Sequence, residues 1–109
     1  MSVPGAAQKI AAAMGALPGV LARPHRFGGM EYRLGRREIG HVHGDHLVDI
    51  PFTKKIREEL VAAGKAHRHH ILPESGWASV YLRQTPDVDR AIELLRFSFE
   101  IAGGAAAHS

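Results

Sequence analysis

HVHGDH, residues 41–46, places three histidines around a Gly-Asp pair within six residues. Imidazole exchanges a proton near neutrality without any shift of its pKa, and it is the commonest metal ligand. Such a cluster supports three readings. It can hold a divalent metal through three nitrogens and keep a coordination position open. It can line a small-molecule pocket as donors or as a general base. It can also lie at the edge of a core, hydrogen-bonded and inert. A second cluster, His67, His69 and His70 in HRHH, is either solvated loop or the source of one more imidazole, most simply His70.

What HVHGDH does depends on the elements that carry it. REIGHVH (37–43) and HLVDIPF (46–52) alternate as strands, and Gly44-Asp45 reads as a two-residue type II′ closure. That register pairs His43 with His46 and His41 with Val48. Ile39, His41, His43, His46, Val48 and Ile50 then share one face. Opposed Cβ atoms are about 5 Å apart, so the imidazoles can meet. Val42, Leu47, Asp49 and Glu38 are expected on the other face, with Asp45 in the turn, leaving no carboxylate beside the histidines. Ile39, Val48 and Ile50 belong against a helix, so a histidine-lined pocket is expected between sheet and helices. A longer loop would reverse His46.

The rest of the chain supplies partners for this hairpin. AAQKIAAAMGAL (6–17) reads as a helix with Ile10, Met14 and Leu17 on one side, and ARPHRFGG as a loop. MEYRL (30–34) is a strand, and TKKIREELVAAG (53–64) a helix capped by Thr53 and stopped by Gly64. KAHRHHIL leads into a further strand, and WASVYL (77–82) is a strong one, with Trp77 and Tyr81 assigned to the core. Thr85 caps the last helix, Pro86 opens it, and Val88, Ile92, Leu95 and Phe99 form its apolar stripe. The order α-β-β-β-α-β(β)-α predicts a single α+β domain over 1–109, an antiparallel sheet of four to five strands with helices on one face. Residues 1–3 and 103–109 are expected to fray.

Composition narrows the chemistry. The chain has no cysteine, which removes disulfides, thiolate metal sites and thiol catalysis. Residues 10–22 are uncharged, but only Lys9 precedes them and Pro18-Gly19 interrupts them, so export and membrane insertion are not expected and a cytoplasmic location is. The net charge is +3, and protonating the eight histidines would add to it. Arg23, Arg26, Arg33, Arg36 and Arg37 fall within residues 23–37, opposed by Glu31 alone. This stretch is either a solvated surface or an anion or nucleic-acid patch, with Arg33, Arg36 and Arg37 as its candidates. Ser75, in PESGW, lacks the G-x-S-x-G setting of a nucleophile.

Two stretches, EIGHVHGD (38–45) and HHILPESGW (69–77), resemble the small bacterial proteins of the luciferase-domain family, and the likeness runs from about Leu17 to Ile101. The family's name comes from larger fungal light-emitting enzymes that oxidise a hydroxylated pyrone with O2 and no added cofactor. The resemblance implies a small-molecule-binding domain with an oxidase- or oxygenase-type site and no cofactor. It points to Glu38, Gly40, His41, His43, Gly44, His70, Pro73, Ser75, Gly76 and Trp77. It therefore implies His41, His43 and His70 as the converging catalytic or, alternatively, metal-binding set, and Glu38, Ser75 and Trp77 as ligand contacts. His46 is outside that pattern and remains the weaker metal candidate. LPGV (17–20), YRLG (32–35), WASV (77–80) and PDVDRAIELLRFSF (86–99) are similar to the YjbR/MmcQ family, which implies a CyaY-type α+β sandwich and, by fold analogy, nucleic-acid binding.

Overall fold

The alanine-rich start of the chain is helical over α1 (Ala6–Gly15), where Ile10 and Met14 are fully buried. Its N-terminus is closed by Asp45, the aspartate of HVHGDH. Ala7 N–H donates to the Asp45 carboxylate at 2.8 Å, and Val3 N–H donates to the Asp45 carbonyl at 3.0 Å. A carboxylate at this position satisfies free N–H groups and opposes the helix dipole. Val3 is therefore tied to the hairpin rather than frayed. The computed structural model describes residues 2–104, so the tail expected to fray lies, from residue 105 on, outside the described residues.

The strands that follow are β1 (Val20–Pro24), β2 (Met30–Leu34), β3 (Arg37–His43) and β4 (Leu47–Pro51). Then come α2 (Lys54–Ala62), β5 (His67–Arg68), β6 (Trp77–Tyr81) and α3 (Thr85–Ile101). All neighbouring strands are antiparallel, in the order β1-β2-β3-β4-β6-β5. The fold is thus α+β, with six strands among the described residues rather than four or five. The additional strand, β1, lies in the segment read partly as loop. It is an edge strand with four exposed residues ending in Pro24, so it carries no alternation for a sequence reading to detect.

One face of the sheet is the core. Val42, Val48, Ile50, Ala78 and Val80 pack with Val88, Ile92, Leu95 and Phe99 of α3, the stripe expected from their spacing. Gly40 lies under α3 so closely that a Cβ there would meet Leu95 Cδ2 at 2.6 Å. The buried Ser98 hydroxyl donates to the Ile39 carbonyl at 2.8 Å, joining α3 to β3. The cap of α3 is Gln84, one residue before the expected Thr85, and Asp87 completes a capping box with it. Among the described residues, no helix is long and apolar enough to cross a membrane.

Two irregularities in β3 set the positions of the polar side chains. The β3–β4 connection is three residues long, not two: His43 pairs with Leu47, Val42 with Val48 and His41 with Asp49. Gly44 takes a positive φ of 54°, and His46 N–H donates to the His43 carbonyl at 3.3 Å. This shift turns Asp49 onto the histidine face and sends Val48 and Ile50 to the helices. The second irregularity is a bulge. Tyr32 pairs with Gly40 but Arg33 with Glu38, so Ile39 is the extra residue of β3. An inserted residue reverses the alternation, and Glu38 joins the face of His41.

Candidate functional site

Asp49 is the centre of the polar face. It is the one charged residue in LVDIP, it is 1% exposed, and β4 buries both of its neighbours. Its Oδ1 accepts from the Ser79 hydroxyl at 2.7 Å. Its Oδ2 faces four imidazole Nε2 atoms: His43 at 3.0 Å, His41 and His70 at 3.4 Å, and His69 at 3.5 Å. Strand alternation supplies His41 and His43 from β3. The loop between β5 and β6 folds over to supply His69 and His70, whose rings stack at 4.4 Å.

A second layer holds these rings. Glu38 Oε2 lies 2.6 Å from His41 Nδ1, a contact that only the Ile39 bulge permits. His25, between β1 and β2, stacks on His41 at 4.2 Å while its Nδ1 lies 3.1 Å from Glu31, which Arg33 also grips. Trp77 places its ring 5.1 Å from that of His41. His69 is fixed by the backbone: the N–H groups of Ile71 and Leu72 both donate to its Nδ1, at 3.1 and 3.0 Å. Its Nδ1 therefore bears the lone pair, and the proton of the neutral ring is on Nε2, pointing at Asp49.

The electrostatics follow from this packing. Burial opposes a charge on His41, but the hydrogen bonds and charges of Asp49 and Glu38 outweigh it and raise its pKa to about 9. Burial also opposes ionisation of Asp49, yet hydrogen bonds from His41 and Ser79 and the imidazole charges hold it well below the usual carboxylate range. For His43 and His69, burial prevails over Asp49 and lowers the pKa, so both are neutral at pH 7. His41 is thus the imidazolium, held between Asp49 and Glu38, and His43 and His69 lie beside it as neutral imidazoles.

Of the residues singled out in the sequence, His41, His43, His70, Glu38 and Trp77 come together here. They do so on the face away from the helices, not between sheet and helices as expected. Trp77 and Tyr81 are half-buried on this open face rather than in the core. His46 is exposed in the turn and stays out of the cluster, because the third loop residue reverses it. Ser75 is occupied by its own turn, donating to the Leu72 carbonyl at 2.7 Å and accepting from Trp77 N–H at 3.2 Å. Arg33 is paired with Glu31, and Arg36 and Arg37 are exposed at the β2–β3 turn. His67 lies beside Tyr81, away from Asp49.

Asp49, Ser79 and His25 are not legible as site residues, and His69 is legible only as one of the three HRHH histidines that could supply a further imidazole. A lone carboxylate inside the apolar run LVDIPF was the available signal for Asp49. Next to the cluster, Arg37, Glu38, Pro51, Phe52, Thr53 and Trp77 line an open hollow of 280 Å³. Larger hollows of 350 and 520 Å³ flank α3 and contain none of the residues that touch Asp49.

A protein-family model described as Luciferase domain matches residues 36–98, more than half of the chain. That span includes Glu38, every histidine in contact with Asp49, and Ser79; His25 and Glu31 precede it. No curated protein and no solved structure matches.

Proposed function

The chain belongs to the luciferase-domain family, and on that premise we propose that it binds a small, planar, acidic organic molecule, an enol or phenol, on the open face of the sheet. The observation that carries this reading is the convergence of four imidazoles on buried Asp49 beside a hollow walled by Trp77. The hollow is near the lower end of the size range of ligand pockets, about 300 Å³, which suits one or two rings. Trp77 offers a face for stacking, and the exposed Arg37 a cation at the rim.

In this reading each polar group has a distinct task. His70, the most exposed of the four imidazoles, takes the proton of the ligand hydroxyl. The positive charge between Glu38 and Asp49 faces the resulting anion. An ionised, resonance-stabilised ring is the species that meets O2 in an oxidase- or oxygenase-type reaction. A nucleic-acid module built on the arginines is less well supported, because Arg33 is spent on Glu31.

Trp77 is the only tryptophan of the chain, so its fluorescence reports on the site. Titration of both the chelator-treated and the metal-supplemented protein with a hydroxylated pyrone is expected to quench it saturably. His70→Ala, on an exposed loop, is expected to weaken the ligand at least about tenfold, the loss of one charge-assisted hydrogen bond. Absence of saturable quenching in both preparations would refute the reading.

A further inference from the structure

We propose that His41, His43 and Asp49 bind one divalent first-row transition metal ion, a proposal that rests on the reading above because it names the cation of the same face. Two imidazoles and one carboxylate with open positions are the donor set of non-haem iron(II) sites, and iron(II) is the ion we assign. One ring nitrogen each of His41 and His43 and an Asp49 oxygen all lie within 4.8 Å of one another. An ion about 2.1 Å from each ligand sets neighbouring ligand atoms roughly 3.0–3.4 Å apart. The Asp49 oxygen is 3.0 Å from His43 and 3.4 Å from His41. Both separations fall within that range.

The supporting contacts are those a metal site uses. Glu38, on His41 Nδ1, holds that ring so that the other nitrogen faces inward, and Ser79 fixes Asp49 through its outer oxygen. Asp49 and Glu38 together balance a dication. With the ion bound, its charge replaces that of protonated His41, and a ligand oxygen takes an open position.

A second set, Asp49 with His69 and His70, lies within the same distance limit. The backbone rules it out. Two N–H groups occupy His69 Nδ1, so the nitrogen facing Asp49 at 3.5 Å keeps its proton and has no lone pair to offer a metal. His70 is then outside the ligand set and remains available as the proton acceptor.

Cobalt(II) is the probe. Chelator-stripped protein, with no organic ligand present, is titrated with Co(II) and followed by visible absorption and calorimetry. One saturable equivalent is expected. His43→Ala is expected to weaken it at least about 100-fold, and Glu38→Gln, which preserves shape, about 10–100-fold. His46→Ala is expected to leave it unchanged. No saturable binding at millimolar Co(II), or binding that both His43→Ala and Glu38→Gln leave within twofold of wild type, would overturn the proposal. Circular dichroism checks each variant, and Glu38→Gln decides the matter if His43→Ala does not fold. Failure here with pyrone quenching intact removes the metal alone. Cobalt binding without quenching removes the organic ligand alone.

Discussion

Asp49→Asn is expected to be the most damaging single-atom change in this protein. Ser79 keeps its acceptor, because the amide oxygen can take the place of Oδ1. The amide nitrogen then replaces the oxygen that faces four Nε2 atoms. At least two of those nitrogens carry a proton, on His41 and His69, so donors meet donors. Removing one partner of a buried ion pair costs about 3–5 kcal/mol, and unfolding in urea with a chelator present is expected to show a loss of that size. The variant is also expected to bind no metal.

The pH dependence of the chelated protein should change with it. His41 has a folded pKa of about 9, raised from 6.5. The stability it contributes is therefore fully present below about pH 6.5 and is lost as pH rises through about 9. Asp49, with its folded pKa depressed, works in the opposite direction: its contribution is present at neutrality and lost in acid. Wild type should lose stability from neutral to alkaline pH, and Asp49→Asn should lose much less, since only Glu38 then holds the His41 proton. Equal stabilities, with equal slopes in pH, would show that Asp49 is not the centre of this network.

Gly76→Ala is expected to break the fold beside the site. Phe52 N–H donates to the Gly76 carbonyl at 3.1 Å, which draws the two backbones together where β4 ends and β6 begins. A Cβ on Gly76 would sit 1.9 Å from the Phe52 carbonyl oxygen and 3.0 Å from the Thr53 carbonyl carbon. Backbone atoms cannot rotate away as a side chain can, so the strands must separate. A cost of at least about 3 kcal/mol follows, at the upper end for overpacking, and Trp77 moves with the strand. Thermal unfolding and the Trp77 emission maximum measure both effects. A variant as stable as wild type, with unchanged emission, would mean that the two backbones have room for a methyl group here.

Much of the fold was legible because its core is periodic. The α3 stripe, the burial of Ile10 and Met14 and the strands at 30–34, 37–43 and 77–82 follow from spacing alone. The site was legible in part. His41 and His43 share a face in any straight strand, so their pairing does not depend on register. Asp49 and Glu38 do depend on it, through one extra residue in the turn and one at the Ile39 bulge, and each single-residue step transfers a side chain to the opposite face. Nothing in the composition of G-D-H separates a two-residue from a three-residue closure, which hides the face of Asp49, and nothing in E-I-G marks Ile39 as a bulge, which hides that of Glu38. His69 was hidden for a different reason: its tautomer is set by the backbone of residues 71 and 72, a matter of turn geometry rather than residue type.

The convergence of the histidines on Asp49 is tested most directly by long-range proton–nitrogen NMR of the imidazoles in chelated protein across pH. His69 should be a single tautomer protonated at Nε2, and His41 should keep both protons through neutrality and lose one near pH 9. A His41 that titrates near 6.5, together with a His69 that averages between tautomers, would contradict the account.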